Sequence, residues 1–236
     1  MLVLLIIAVI SPLVFSDPLN VGTRTRNPWK KSYETFEGCG VMPGKQDIDS
    51  TITGGVPVTQ DDPFPWMVYI CVIKDDGSGC QQCGGSMITN RKVLTAGHCL
   101  ENSTTTNTGL IIGAHDTSKS LKNFRYTFNF ISRIDIYPGY KLAHGKTKLK
   151  NAPDIAVLTL EKPLRLSDKI NTICLTDGLS SYVDQPAIVS GWGYDPVSNK
   201  TSEDKLMKVD INVMSNVECK KRSRPRFSFL QRFCNI

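Results

Sequence analysis

Past its first ten residues the chain has no apolar run approaching the roughly 20 residues that a membrane-spanning helix needs. It has no internal repeat and no low-complexity tract, which excludes stacked repeat arrays and compositionally disordered tails. No G-x-S-x-G segment occurs, so the strained serine elbow built on that motif is absent. Only three histidines are present. The C-x-x-C formed by Cys80 and Cys83 has no second pair at zinc-ligand spacing, so neither a metal nor a redox centre is expected there. Charge is not strongly one-sided. The net value of +6 owes much to Lys220, Lys221, Arg222, Arg224, Arg226 and Arg232. Such a patch can attract polyanions, but a solvated surface explains it more simply. Neither nucleic acid nor membrane is expected as a partner.

What is present points to export. Leu2 to Ile10 form an apolar core too short to span a bilayer, and Val14 and Ser16 suit a cleavage site that leaves Asp17 first. No Lys or Arg precedes that run, and a buried N-terminal strand is the other reading of the same residues. Eight cysteines, an even number in an exported chain, suggest disulfides. Asn102-Ser103-Thr104 and Asn199-Lys200-Thr201 are N-glycosylation acceptors of the same compartment. A secreted, extracellular protein is expected.

Residues 17 to 51 are polar, broken by Pro18, Pro28 and Pro43, and read as a leader. From Ile52 onward, short apolar runs alternate with turn residues. Trp66 to Ile73, Leu110 to Ile112, Phe124 to Ile131, Ile155 to Leu160 and Leu206 to Val213 are such runs. Turn signals recur at Asp75 to Gly79 and at Tyr137-Pro138-Gly139. The pattern is that of an all-β barrel or sandwich. One short helix is expected near Ser215 to Lys221, capped by Ser215 or Asn216.

Two segments carry chemistry. Leu94 to Cys99 read L-T-A-G-H-C, and Asp154 to Leu158 read D-I-A-V-L. A histidine with an ordinary pKa near 6.5 is a suitable base for a hydroxyl nucleophile. A carboxylate that accepts its other ring proton holds it in the working tautomer. His98 follows the strand-like Lys92 to Thr95, and Asp154 precedes the apolar run that starts at Ile155. The same order of segments includes Ile52-Thr53-Gly54-Gly55, Pro65-Trp66 and Gly191-Trp192-Gly193. Taken together they resemble a trypsin-like serine protease of the chymotrypsin family, from about Cys39 to Cys234. The other two histidines, His115 and His144, are expected on the surface.

The resemblance implies a double β-barrel with the site between the barrels, His98 as general base and Asp154 orienting it. It implies bridges Cys39–Cys174, Cys83–Cys99 and Cys219–Cys234. Cys71 and Cys80 then remain, flanking a glycine-rich turn, and an additional hairpin bridge is expected between them. A family cysteine four residues before Gly-Trp-Gly is replaced by Ala187. Calcium is not expected, because calcium-binding trypsins carry a glutamate where Ala114 stands. In the family, a cut before Ile-x-Gly-Gly frees an ammonium group that orders the pocket; Ile52 is the matching residue. Thr51 precedes it instead of Arg or Lys, so a trypsin-like activator should not cut there.

The family's serine lies in a G-D-S-G-G-P segment, and no such segment is found up to Ile236. The expected division is therefore a signal peptide at 1–16, a leader at 17–51 and a protease domain at 52–236 that is incomplete at its C-terminal end. The first barrel should be complete and the second partial. By lineage the chain is a secreted endopeptidase zymogen, monomeric, without cofactor. Its partners would be protein or peptide substrates, an activating protease and protease inhibitors. The 236 residues alone should be inactive. The alternative is a non-catalytic protease homologue that acts by binding.

Overall fold

The computed structural model describes residues 6–8, 38–41, 56–59, 64–113, 115–117, 129–143, 153–176, 181–193 and 205–222. Ten strands are described: β1 (Ile6–Ala8), β2 (Val56–Pro57), β3 (Met67–Ile73), β4 (Cys80–Thr89), β5 (Lys92–Thr95), β6 (Thr108–Ile112), β7 (Asn129–Ile136), β8 (Ala156–Leu160), β9 (Pro186–Gly191) and β10 (Met207–Asn212). Six of them close into a barrel in the order β3-β4-β5-β8-β7-β6. The other four form a sheet in the order β1-β9-β10-β2. The fold is all-β, with one closed barrel and a second sheet, in keeping with a chymotrypsin-like double barrel.

The barrel follows from side-chain alternation. In β8, Ala156, Leu158 and Leu160 are buried while Val157 and Thr159 are half-buried, as a strand with one face on a core requires. Val68, Ile70, Met87, Val93, Leu110, Ile131 and Leu158 meet inside. β3 and β4 are joined by the turn foreseen at Asp75 to Gly79. There the Asp76 carboxylate accepts the Ser78 N–H at 2.9 Å, and the Cys71–Cys80 bridge staples the hairpin. β4 passes so close to β5 that a Cβ at Gly85 would lie 2.8 Å from Val93 Cγ1 and 3.1 Å from Ile70 Cδ1.

The two sheets share contacts. The Trp192 ring meets Tyr69 of β3 edge to face at 5.6 Å, a favourable aromatic geometry. Ser190 Oγ donates to Met67 Sδ at 3.3 Å. The connecting segment is sewn to the barrel by Asn171 N–H to Pro65 O and Ile173 N–H to Met87 O, each 2.9 Å. The segment at 38–41 is held by the Cys39–Cys174 bridge and by Gly40 N–H to Thr172 O at 2.7 Å. The Ile6–Ala8 strand lies antiparallel along β9, with Ile7 opposite Val189.

The expected helix forms at Asn216–Arg222. Ser215 is its cap, its Oγ accepting the Glu218 N–H at 3.2 Å. Two features differ from expectation. A helix at Pro138–Ala143 replaces the simple turn read at Tyr137-Pro138-Gly139; Pro is well suited to a first helical position. His115 is half-buried rather than on the surface, and its backbone carbonyl accepts the Leu206 N–H at 2.7 Å. His144 lies outside the described residues.

Gly85→Ala should destabilise the fold by about 1–3 kcal/mol through overpacking, read from the urea midpoint at unchanged slope. A second expectation concerns acid. Burial, and then the Lys169 charge, hold the His115 pKa below its ordinary 6.5. The folded state therefore favours the neutral ring. Its contribution is complete above pH 6.5 and is lost as the pH falls below that value through the lower folded pKa. The melting temperature should drop over that window, and His115→Gln should flatten that part of the profile.

Candidate active site

The site starts from one pairing. β5 and β8 run antiparallel with Thr95 opposite Ala156. Beyond Thr95 the chain turns into a 3-10 helix, Gly97–Leu100, which carries His98. Asp154 lies just ahead of Ala156 on the partner strand, so both groups emerge from the same end of the pair. Thr95 Oγ1 donates to Gly84 O at 2.9 Å inside the barrel, anchoring the end of β5. The Cys83–Cys99 bridge ties the short helix to β4.

The resulting contact is close. His98 Nδ1 and Asp154 Oδ2 are 2.6 Å apart, and the His98 backbone N–H donates to Asp154 Oδ1 at 2.8 Å. One carboxylate thus grips both the ring and the main chain of the same residue. With Asp154 ionised, Nδ1 carries the proton and the lone pair is left on Nε2, the tautomer a general base needs. Partial burial raises the Asp154 pKa, but the His98 ring and the His98 backbone N–H outweigh it, and the net value falls below the ordinary 3.8. The side chain of Asp154 is 33% exposed, against 14% for His98. The carboxylate is therefore more open than its place before a buried strand suggested.

Sequence reasoning missed the support behind this pair. A Cβ on Gly97 would lie 2.8 Å from Tyr140 Cδ1 and 3.2 Å from Asp154 Oδ1, so only glycine lets the helix seat against both. Tyr140 is buried, and its hydroxyl donates to Glu101 Oε1 at 2.5 Å. This bond spans 39 positions of sequence, and no local motif announces it.

Nε2 lies 3.6 Å from Cys99 Sγ, and among the described residues no serine hydroxyl is bonded to it. Ser86 is 1% exposed inside the barrel wall, out of reach of a substrate. Donor atoms of Cys83, His98 and Cys99 cluster within 4.8 Å. The two sulfurs are bonded to each other, so they offer no thiolate to a metal. Cys219 is disulfide-bonded, while Cys234 lies outside the described residues. Asn102 is exposed in the turn after the 3-10 helix; Ile52, Ala114 and Asn199 also lie outside the described residues.

A histidine on a short helix, held by an aspartate at the end of a paired barrel strand, has a geometry in which one ring nitrogen is bound and the other can accept a proton. The trypsin family model matches residues 52–232, and the chain belongs to that family. Among its relatives is venom serine protease 34 of Apis mellifera, 31% identical over 78% of this chain and 47% of that protein. Serine protease 7 of Drosophila melanogaster is 29% identical over 65% of this chain and 42% of that protein. The clotting factor G beta subunit of Tachypleus tridentatus is 29% identical over 78% of this chain and 55% of that protein. The chain thus spans about half the length of these relatives.

Replacing His98 with Ala removes the ring hydrogen bond from Asp154. The carboxyl pKa should then rise, because partial desolvation loses its main opponent. Carbon-detected NMR titration of the labelled side chain reads the shift; an unmoved pKa would show that the contact does not form in solution.

Proposed function

We propose that the protein is a secreted serine endopeptidase zymogen, with His98 as the general base and Asp154 as the residue that orients it. The observation that carries this reading is the double grip of Asp154 on the ring and backbone of His98. Residues 1–16 act as the export signal, so that the edge strand β1 belongs to the uncleaved chain alone, and 17–51 act as the leader, tethered through Cys39–Cys174. Ile52 is the new N-terminus after activation, reached by a protease that accepts Thr51 or by trimming from Gln46 after a cut at Lys45. Relatives named for venom and for clotting support secretion. The substrates are proteins or peptides, the further partners are the activating protease and protein inhibitors, and the protein works as a monomer without a cofactor.

The 236 residues supply a base and its orienting carboxylate but no serine in a G-D-S-G-G-P setting. In the established triad, the catalysis that survives loss of one member comes from the oxyanion hole and substrate binding. We therefore expect the 236-residue chain alone to hydrolyse no peptide ester and to take up no serine-directed phosphonate. Stoichiometric phosphonate labelling of a pure sample would overturn that expectation. Sequencing the transcript past the Ile236 codon separates the two functions. A downstream G-D-S-G-G-P run supports the endopeptidase, and an immediate stop supports a non-catalytic homologue that acts by binding.

A further inference from the structure

We infer that Tyr140 is a positioning residue for the His98–Asp154 pair and acts through Glu101: the two side chains brace the short helix that carries His98 and keep the imidazole aligned with the carboxylate. This role rests on the reading of that pair as a base and its orienter.

The need for a brace lies in the helix itself. Gly97–Leu100 is a four-residue 3-10 helix, and no side chain caps its N-terminus, where Ala96 stands. Such turns have poorer hydrogen-bond geometry than an α-helix and little rigidity of their own. His98 is nonetheless aimed closely enough for Nδ1 to lie 2.6 Å from Asp154 Oδ2. The Cys83–Cys99 bridge fixes one point of the turn to β4. A single fixed point leaves a turn free to pivot about it.

Tyr140 supplies two more points. Its ring packs on Gly97, the first residue of the turn, where a Cβ would lie 2.8 Å from Tyr140 Cδ1. Its hydroxyl donates at 2.5 Å to Oε1 of Glu101, the residue that closes the turn. One buried side chain therefore touches both ends of the segment that carries His98. Glu101 is itself exposed, yet its carboxylate is held by the tyrosine although water is within reach.

Tyr140 is tied in turn to the strand that carries Asp154. Its N–H donates to Tyr137 O at 3.0 Å, and the Tyr137 N–H donates to Ile155 O, also at 3.0 Å. Ile155 directly follows Asp154. The contacts close a circuit. It runs from Asp154 through Ile155, Tyr137 and Tyr140 to Gly97 and Glu101, then to His98 and back to Asp154. Cutting the Tyr140–Glu101 link leaves the direct bonds from His98 to Asp154 to hold the turn against the bridge alone.

The test follows the pair by NMR in the full chain and needs no catalytic turnover. Its readouts are the Asp154 carboxyl pKa, the exchange of the His98 Nδ1 proton with water at neutral pH, and the urea midpoint. Tyr140→Phe keeps the ring against Gly97 and removes only the hydroxyl. It should raise the Asp154 pKa towards its ordinary 3.8 and speed Nδ1 proton exchange several-fold. Glu101→Ala should do the same, and the double variant should be no worse than either single one. Glu101→Gln keeps an oxygen that can accept the hydroxyl and should hold the exchange rate at the wild-type value. Loss of the Glu101 charge by itself would push the Asp154 pKa down, the opposite direction, so charge and brace are separable. Because Glu101 is exposed, its variants carry the test even where Tyr140→Phe does not fold. A lowered urea midpoint with pKa and exchange rate unmoved shows a merely structural contact and overturns the brace, as do three unmoved readouts. An Asp154 pKa that ignores His98→Ala overturns the pair and the brace together. One that responds to His98→Ala but not to Tyr140→Phe or Glu101→Ala overturns the brace alone.

Discussion

The register of β5 against β8 is the constraint on which the site depends. Because Thr95 faces Ala156, the residues just outside that pair meet at one end of the barrel wall. A slip of one residue would turn Leu158 and Leu160 out of the core and carry Asp154 away from the ring. The buried side chains of β8 therefore fix the placement of the carboxylate as surely as its own hydrogen bonds do. Stability and chemistry are coupled at this strand pair: the same alternation that packs the barrel delivers the dyad.

Around that pair the protein spends its covalent and close-packed contacts. Cys83–Cys99 ties the histidine's helix to β4, and Thr95 binds the main chain of Gly84 next to it. Gly97 has no side chain because Tyr140 and Asp154 occupy the space. The histidine is thus held from the barrel side by a disulfide and from the other by an aromatic ring. Asp154 then selects its tautomer. The arrangement leaves one imidazole nitrogen with a lone pair, at a surface that the barrel alone does not enclose.

Much of this was legible in the linear chain. The words around His98 and Asp154 point to a pair that the fold does bring together, and β3, β5, β8 and β10 match apolar runs to within a residue or two of their ends. The Ser215 cap is readable because a hydroxyl residue stands before a short amphipathic segment. β7 overlaps the apolar run Phe124 to Ile131 and continues past it to Ile136, because a register shift between Ile131 and Arg133 interrupts the alternation there; residues 124–128 lie outside the described residues. The helix at Pro138–Ala143 was hidden by its Pro-Gly start, which reads as a turn. Tyr140 and Gly97 could not be matched at all, since their contact depends on the closed barrel. The openness of Asp154 is equally a tertiary property, set by which segments cover it.

The bridge between Cys39 and Cys174 has a consequence for the molecule's later life. Chain scission anywhere between residue 41 and the start of β2 would not release the piece that holds Cys39. It would yield a two-chain species joined covalently by one sulfur–sulfur link, with the Gly40 bond to Thr172 and the Asn171 bond to Gly38 beside it. The severed segment would travel with the barrel wherever it goes, and only a reducing environment would separate the two.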